Sequence, residues 1–411
     1  DEFTGRIMPD RRWSDGLHQA VEAKEGVTIR QNNETAASVT YQNFFLLYPK
    51  LSGMTGTAKT AEIEFEKIYN LSVVEIPTAK PNLRKDLPDL IYKDELSKWT
   101  AVAKECNQIA TKTQPILIGT TSVEKSEMLG QLLNEYNLAY QILNAKPENV
   151  RRESEIVAQA GKKGAITIAT NMAGRGTDII LGGNINFQIQ KELYDILTFS
   201  RNYILSKKVN IFQSSLRNQL TCSSNKFLSV LYSILNNKNF LKLSDIDILR
   251  ILRENDSISI PNTSYKCSIK FLMDELITYY TKQQKQENKI VKNLGGLYII
   301  GTEKNDSRRV DNQLRGRCGR QGDPGISKFF LSLDDNLLRL FGGPKIQTFL
   351  QTQMKDDIPL ESALLTKSLD SAQQRVEERA YQQRKNLFDY DDILNKQRNI
   401  VYFERQFILK A

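Results

Sequence analysis

Hydrophobic and polar positions follow a repeating pattern in the middle of this chain. From Pro81 onward, short apolar runs alternate with longer stretches in which apolar residues recur every three or four positions. Strands that alternate with helices of this length are typical of right-handed βαβ units and therefore of a parallel sheet. The pattern predicts strands at Pro115–Thr120, Ala139–Leu143 and Ala165–Thr170, and helices at Glu95–Thr111, Val123–Asn137 and Val150–Ala160.

The same pattern resumes after a long interval of different composition. Strands are predicted at Leu297–Gly301 and Lys328–Leu333, with a helix at Ser307–Cys318 between them. The interval, about Ile185–Asn293, is rich in Asn, Lys, Ile and Leu and has a largely helical pattern. A connection of this length is usually functional or accessory, so we predict an insertion into the α/β domain.

The two ends of the chain lie outside this series. Residues 1–35 combine polar turns with one helical stretch, and residues 36–80 carry an apolar run, a turn at Gly53–Thr57 and another helical pattern. From about Leu360 to Ile408 one amphipathic pattern runs without Gly or Pro. At 1.5 Å per residue this helix would be roughly 70 Å long. We expect it to lie across several domains as a scaffold, with a free coiled coil as the alternative.

Composition limits the classes of partner. The 411 residues include 57 Lys and Arg against 48 Asp and Glu, a net charge of +9. This excess favours an acidic partner such as nucleic acid, anionic lipid or a nucleotide, although a solvated lysine-rich surface would explain it equally well.

No apolar run is long enough to span a bilayer. The four cysteines are far apart and form no CxxC, so we expect neither disulfides nor a metal site. Because the chain begins without Met and ends within a helical pattern, we expect it to be part of a longer protein.

Two glycine-rich segments contain the candidate functional residues. In Gln313–Asp323 (QLRGRCGRQGD), Arg315, Arg317 and Arg320 alternate with glycines, an arrangement suited to gripping a phosphate. In Ala169–Asp178 (ATNMAGRGTD), Arg175 and Asp178 follow a predicted strand. The two segments resemble motifs that the second RecA-like domain of a superfamily-2 motor directs at a nucleotide held by the first domain.

Other parts of an ATP site are missing from the sequence. Phosphoryl transfer needs a phosphate cradle, a Mg²⁺ ligand, a group that positions water, and cations near the γ-phosphate. The chain contains no GxxxxGK[ST] and no DEAD-type box. We therefore predict that it supplies the arginine half of an ATP site, and that the cofactors ATP and Mg²⁺ are held mainly by residues outside it.

Six stretches along the chain have distinctive sequences: Arg11–Val27, Leu51–Ala58, Arg84–Asp89, Ala165–Asn184, Gly296–Gly325 and Arg384–Arg398. Together they resemble the SecA family of preprotein translocase motor ATPases. The resemblance implies an α/β fold with a RecA-like, superfamily-2 helicase-like parallel-sheet motor domain. It also implies a layout: residues 1–35 would end the preprotein cross-linking domain, 36–80 would return to the first nucleotide-binding domain, 81–350 would form the second, with the insertion at about 185–293, and 360–411 would begin the helical scaffold.

The resemblance further implies a function and partners. The whole protein would couple ATP binding and hydrolysis to movement of preproteins through a Sec channel of the SecY/SecE type. Expected partners are that channel, unfolded preproteins and signal peptides, an anionic lipid surface and a second copy of the protein, but not nucleic acid. Residues 143–164 and the Asn/Lys/Ile-rich insertion resemble the cyanobacterial and plastid branch. The expected location is the plastid stroma and thylakoid membrane, with the bacterial cytoplasm and plasma membrane as the alternative.

Residue roles in the ATP site follow from the motifs and the resemblance together. Arg317 and Arg320 are expected to face the γ-phosphate, with Arg320 the better candidate for an arginine finger. Arg175, with Gly176, is expected to sense nucleotide, and Gln321 to support the site. Asp178 would contact nucleotide or hold the arginines, with a simple cap as the alternative. For Arg315 we favour packing over catalysis.

A second group of residues is expected to couple the site to the rest of the motor. Thr55, Gly56 and Thr57 correspond to the motif that joins the two motor domains. By resemblance, Glu64 and Arg384 are expected to form a salt bridge that restrains the resting motor.

Two other function classes remain open from the sequence. An RNA helicase would use the same two motifs with its basic surface on RNA, and it predicts base-stacking aromatics that we do not identify. A non-enzymatic binding scaffold is the third possibility.

Overall fold

The structure is a computed structural model that describes residues 11–31, 38–143, 153–170, 178–205, 225–254, 264–341 and 363–410. Its centre is a parallel β-sheet of seven strands in the order β1-β7-β6-β3-β5-β4, with β2 also paired to β7. The strands are β1 Arg84–Asp86, β2 Leu90–Tyr92, β3 Ile116–Thr120, β4 Gln141–Leu143, β5 Ile166–Thr170, β6 Leu297–Gly301 and β7 Gly325–Ser332. The fold is therefore α/β and RecA-like, as the sequence predicts.

Helices surround this sheet and extend beyond it. In chain order they are α1 Leu17–Lys24, α2 Tyr41–Leu46, α3 Glu62–Tyr69, α4 Glu95–Thr111, α5 Val123–Glu135, α6 Glu153–Gln159, α7 Ile185–Leu205, α8 Asn225–Leu235, α9 Lys238–Leu241, α10 Asp245–Glu254, α11 Ser264–Asn293, α12 Arg308–Arg315, α13 Asn336–Phe341 and α14 Ala363–Lys410. Within the described ranges, no helix combines the length and the apolar character needed to cross a membrane.

The central strands are buried on both faces. Every residue of β3, β5 and β6 is buried, which explains why these strands appear in the sequence as continuous apolar runs. One apolar cluster, which includes Trp99, packs α4 and α5 against one face. A second cluster, which includes Leu314 and Leu369, packs α12 and α14 with the same sheet. The sheet thus places its site-bearing helix and the long C-terminal helix in one core.

The stretch between β5 and β6 packs around a core of its own. Its described residues form five helices, α7 to α11, whose buried side chains make a separate apolar cluster that includes Phe227, Leu231 and Leu272. The long helix α11 returns to the sheet, where Val291 joins the sheet's core. There the Asn288 side chain donates to the Leu181 carbonyl at 2.7 Å. The predicted helical insertion is therefore a packed unit joined to the sheet at its base.

The long helix predicted at the end of the chain is present. Helix α14 has 48 residues, a length of about 70 Å. It packs against α2 and α13, so it contacts both the 38–69 part of the chain and the sheet domain. Many apolar side chains on its C-terminal half are exposed, Leu387 and Phe403 among them.

Candidate nucleotide-facing site

The segment that follows α12 is a tight turn that carries two arginines. We call Arg317–Gly322 the arginine segment. Gly319, Gln321 and Gly322 have φ values of 71°, 55° and 77°, the left-handed region that favours glycine. A Cβ on Gly319 would also lie 2.8 Å from the Cβ of Arg84. The turn therefore favours glycine at 319 and 322, and its close approach to β1 adds a second reason for glycine at 319.

Arg320 is held by two partners in this turn. Its Nε donates to the Gly316 carbonyl at 2.9 Å, and its Nη1 contacts a carboxylate oxygen of Asp178. Partial burial lowers the pKa of Arg320, although an arginine stays protonated in proteins. The sequence motifs of Arg320 and Asp178 lie 142 residues apart, and the fold brings the two side chains into contact.

A cavity of about 340 Å³ lies beside the arginine segment. Three parts of the chain form its wall: the turn Thr55–Thr57, the sheet at β3 and β5, and the end of α12 with the arginine segment. The lining residues are Thr55, Gly56, Thr57, Leu117, Ala169, Thr170, Val310, Asn312, Gln313, Leu314, Gly316, Arg317 and Arg320. It lies near the carboxyl end of β5, the usual position for ligands in open α/β sheets.

The chemistry of this cavity suits a phosphate. Arg317 and Arg320 supply guanidinium donors, and Thr55 and Thr57 add hydroxyls. Guanidinium groups bind phosphate oxygens through paired, charge-assisted hydrogen bonds. Among the described residues that line the cavity there is no carboxylate. The wall can therefore hold an anion, but it offers none of the acidic ligands that Mg²⁺ prefers.

The turn Thr55–Thr57 is internally braced beside the arginines. The Thr57 amide lies 3.4 Å from Thr55 Oγ1, and Thr60 Oγ1 donates to the Thr57 carbonyl at 3.0 Å. The short helical turn Ala58–Ala61 then contacts α12. The structure thus brings the predicted coupling turn against the helix that leads into the arginine segment.

The remaining predicted site residues have different surroundings. Gln321 takes the left-handed conformation in the turn and does not line the cavity. Arg175 and Gly176 lie outside the described residues. Arg315 lies over the Phe329 ring at 4.8 Å and 3.8 Å from a carboxylate oxygen of Asp89, which supports the packing role that we favoured.

The ion pair expected between Glu64 and Arg384 is present. Arg384 donates from Nε and Nη2 to the two carboxylate oxygens of Glu64, at 2.9 and 2.7 Å. The Glu64 carboxylate raises the pKa of Arg384. The two side chains are 22% and 46% exposed, so water screens this bidentate pair.

Sequence reasoning did not find two residues of α14 that contact α12. Glu377 binds Arg308, and the buried Gln373 binds Asp311. The available signal was weak: Gln373 lies four residues after Leu369 and three before Val376, so a polar residue occupies the apolar stripe of the helix. A buried glutamine at such a position requires hydrogen-bond partners.

A larger cavity, of about 760 Å³, lies elsewhere, between the insertion and the sheet. Its wall includes Gln141 of β4, Glu155 and Gln159 of α6, and residues of α7 such as Lys191 and Asp195. None of the predicted site residues lines it. Size alone therefore does not identify the candidate site.

Comparisons with known proteins point to one family. Residues 81–357 match a family model described as the SecA P-loop domain. Residues 359–411 match the SecA wing and scaffold domain, and residues 6–66 match the SecA DEAD-like domain.

Individual relatives align along the whole chain. A protein translocase subunit SecA of Phaeodactylum tricornutum is 79% identical over 411 residues, which are 100% of this chain and 46% of that protein. Proteins of the same name from Pyropia yezoensis and from a Picosynechococcus species are 52% and 47% identical; each alignment covers 100% of this chain and 46% and 47% of the relative. The chain thus spans about half the length of the curated relatives that it matches. It belongs to the SecA family.

Proposed function

We propose that this chain carries the half of a SecA motor ATPase that acts on the γ-phosphate of ATP from the side opposite the phosphate-binding loop. The observation that carries the proposal is the cavity in which Arg317 and Arg320 face the turn Thr55–Thr57. Arg320 is the arginine finger, and Arg317 is the second cation. Arg175 and Gly176, on the other motif, contact nucleotide from the same side.

The contact between Arg320 and Asp178 gives this site a resting state. The Asp178 side chain is 70% exposed and that of Arg320 is 40% exposed, so both can exchange partners. A γ-phosphate competes with the Asp178 carboxylate for the same guanidinium because each anion offers two oxygens that can accept from its paired N–H groups. Arg320 exchanges the Asp178 carboxylate for the phosphate when nucleotide binds. It returns to Asp178, and so to the resting position, when the nucleotide leaves. Gln321 supports this exchange through the turn that it helps to form.

When bound, ATP with Mg²⁺ supplies the reactive phosphoryl group. The cavity residues described above provide cations but no acidic metal ligand, so Mg²⁺ and the phosphate cradle belong to the other half of the site. No GxxxxGK[ST] occurs in the 411 residues. The chain therefore binds the phosphate through Arg317 and Arg320 and stabilises the charge that develops on it.

The names of the relatives indicate what the ATP hydrolysis would drive. They are protein translocase subunits, so we assign the whole protein to ATP-driven movement of unfolded preproteins and their signal peptides through a Sec channel at an anionic lipid surface. The chain is more similar to the two algal proteins than to the cyanobacterial one, which favours the plastid stroma and thylakoid membrane over the bacterial cytoplasm. The division into cross-linking, first and second nucleotide-binding, and scaffold domains remains part of this proposal. An RNA helicase is not favoured, because the matched family models and relatives are all of the SecA type.

The test uses the whole protein and this chain side by side. With Mg²⁺ and ATP, the whole protein is expected to turn over, and to accelerate with membranes that contain the channel and with preprotein, but not with RNA. The chain alone is expected to hydrolyse ATP no faster than buffer because it lacks the phosphate cradle. Steady Mg²⁺-dependent turnover by the chain alone, or stimulation of the whole protein by RNA only, contradicts the proposal.

A further inference from the structure

The position of the arginine segment depends on a helix with little apolar anchorage. Helix α12 has eight residues, RRVDNQLR, and ends two positions before Arg317. Its main apolar anchor is Leu314, whose side chain fills the space beside Gly119, where a Cβ would lie 2.6 Å from a Leu314 methyl carbon. One apolar side chain leaves such a helix free to pivot. Polar contacts at its other end must therefore fix its direction.

Glu377 of α14 supplies the first of these contacts. One of its carboxylate oxygens accepts from the Arg308 backbone N–H at 2.7 Å. The other accepts from Nε and Nη2 of the Arg308 guanidinium at 2.9 and 2.7 Å. A carboxylate at a helix N-terminus also interacts favourably with the helix dipole. One side chain of α14, which we call the scaffold helix, thus binds the first residue of α12 through three hydrogen bonds.

Gln373, one turn earlier on α14, supplies the second contact. Gln373 is 1% exposed and Asp311 is 3% exposed. The Gln373 amide donates to Asp311 Oδ2 and to the Asn305 carbonyl, both at 2.7 Å. Asp311 Oδ1 accepts from the backbone N–H and the side chain of Asn305, at 3.1 and 2.7 Å. The glutamine therefore ties together α12 and the loop that precedes it, in a place that water does not reach.

The same helix holds the other wall of the cavity. About 16 Å further along α14, Arg384 binds Glu64 of α3. Further still, Asp391 accepts from Thr40 and Asn43 at the start of α2, at 2.6 and 2.7 Å. One continuous helix is therefore fixed at one end to the arginine-bearing side and at the other to the part of the chain that carries Thr55–Thr57.

We infer that Gln373 and Glu377 are positioning residues, which set the distance of Arg317 and Arg320 from the γ-phosphate according to where the scaffold helix lies. The inference rests on the proposed function, because it assumes that these arginines act on the phosphate. Neither residue is among the residues that line the cavity beside the arginine segment. Each acts through α12, so a shift of the scaffold helix moves the arginine segment with it.

The test compares neighbouring side chains on the same helix in the whole protein. The variants are Glu377→Gln and Gln373→Leu. The matched controls are Glu378→Gln and Gln374→Leu, since both control residues are exposed and Glu378 accepts a hydrogen bond from Gln382 one turn away on the same helix. A misplaced catalytic group loses about tenfold to 100-fold in rate. We expect that loss in kcat for the two variants, with KM for ATP nearly unchanged, and wild-type kcat in both controls.

A second arm separates positioning from general stability. Adding Glu377→Gln to the double variant Arg317→Ala/Arg320→Ala should lower single-turnover hydrolysis little further, because both groups that Glu377 positions are already gone. Additive losses, or a Glu377→Gln kcat equal to that of Glu378→Gln, overturn the inference while leaving the proposed function intact. Because Glu377 is only partly buried, this arm stays decisive even if Gln373→Leu does not fold. Wild-type turnover in Arg320→Ala alone overturns the proposed function, and the inference with it.

Discussion

The sheet and the insertion enclose different kinds of core. The insertion's cluster is built of apolar side chains, and the buried polar residues among its described parts are Ser200 and Arg201. The sheet domain instead buries charged groups near the carboxyl ends of its strands. There Lys98, which is fully buried, lies 2.6 Å from Asp335 and 3.5 Å from Glu303. In the described part of the insertion, the buried charged side chain is Arg201, which pairs with the exposed Asp245, whereas the sheet domain buries Lys98, Glu303 and Asp335 together.

Buried ion pairs are weak evidence for stability, because the cost of desolvation offsets most of the attraction. Their position is more informative than their number. Glu303 follows β6 and Asp335 follows β7, so the cluster fixes the loops at the end of the sheet where α/β proteins bind ligands. The comparison indicates that the buried ion pairs of the sheet domain hold the loops beside the candidate site in place. The buried side chains of the insertion stabilise the insertion itself.

The largest effect is expected at the arginine segment. In the whole protein, Arg320→Ala should lower kcat by about 10³- to 10⁵-fold, the contribution of known arginine fingers, which corresponds to roughly 4–7 kcal/mol. Affinity for ATP should change far less, because a finger stabilises charge that develops in the transition state. Arg320→Lys should rescue poorly since it lacks the planar fork. Steady-state kinetics with a nucleotide-binding assay tests this, and turnover within a few-fold of wild type would reassign Arg320 to structure.

The buried lysine offers the next largest effect. Lys98→Met removes the cation that Asp335 and Glu303 share, and breaking a buried pair from one side costs about 3–5 kcal/mol. The free energy of unfolding of the sheet domain should fall by that amount. Lys104→Met is the matched control, because Lys104 is exposed on the same helix and should change stability little. If denaturant titration gives both variants the same stability, the charged cluster does not hold the sheet.

A cavity created by mutation in the apolar core of the insertion tests the other half of the comparison. Leu272 is fully buried in the insertion's cluster, so Leu272→Ala should cost about 2–5 kcal/mol there. The neighbouring Phe271 is 40% exposed, and Phe271→Ala serves as the control. Hydrogen exchange should show loss of protection in α8 and α11 but not in β3. Equal loss in β3 would mean that the two cores unfold as one unit.

The charged cluster should also give the sheet a distinctive dependence on pH. Burial raises the pKa of Asp335 to about 6, although the nearby ammonium of Lys98 opposes the shift. An unfolded aspartate has a pKa of about 3.9, so between these values the folded state binds more protons. The Asp335 contribution is therefore complete below about pH 4 and is lost as pH rises through about 6. Unfolding free energies from pH 4 to 7 should show wild type losing stability relative to Asp335→Asn, and parallel curves would exclude this contribution.

Parts of this architecture could be predicted from the sequence because they carry local signals. The strands β3, β5 and β6 are apolar throughout, and the arginine segment needs its glycines for left-handed backbone. The edge strand β1 has the sequence RKD and was not predicted, since only its pairing with β7 makes it a strand. The edge strand β2 was also not predicted. Contacts such as that of Gln373 with Asp311 join residues that are far apart in the chain. The local sequence around either residue does not identify its partner.

The smallest effect on stability, and the most specific test of communication between α3 and α14, concerns Glu64 and Arg384. A salt bridge this exposed contributes only about 0–1 kcal/mol, so neither Glu64→Gln nor Arg384→Gln should change the melting temperature much. The pair nevertheless joins α3 to α14. If it favours a resting arrangement, it acts by biasing the populations of two states.

Breaking the pair from either side should therefore raise basal ATPase activity and speed nucleotide release in the whole protein. The double exchange Glu64→Arg with Arg384→Glu should restore part of the restraint, because the attraction returns while the local geometry differs. Glu66→Gln is the control, since Glu66 is exposed on the same short helix. The measurements are basal turnover and the dissociation rate of a fluorescent nucleotide. Two single variants with wild-type basal turnover would show that the ion pair is present but does not restrain turnover, and that α14 is linked to the rest of the chain through its other contacts.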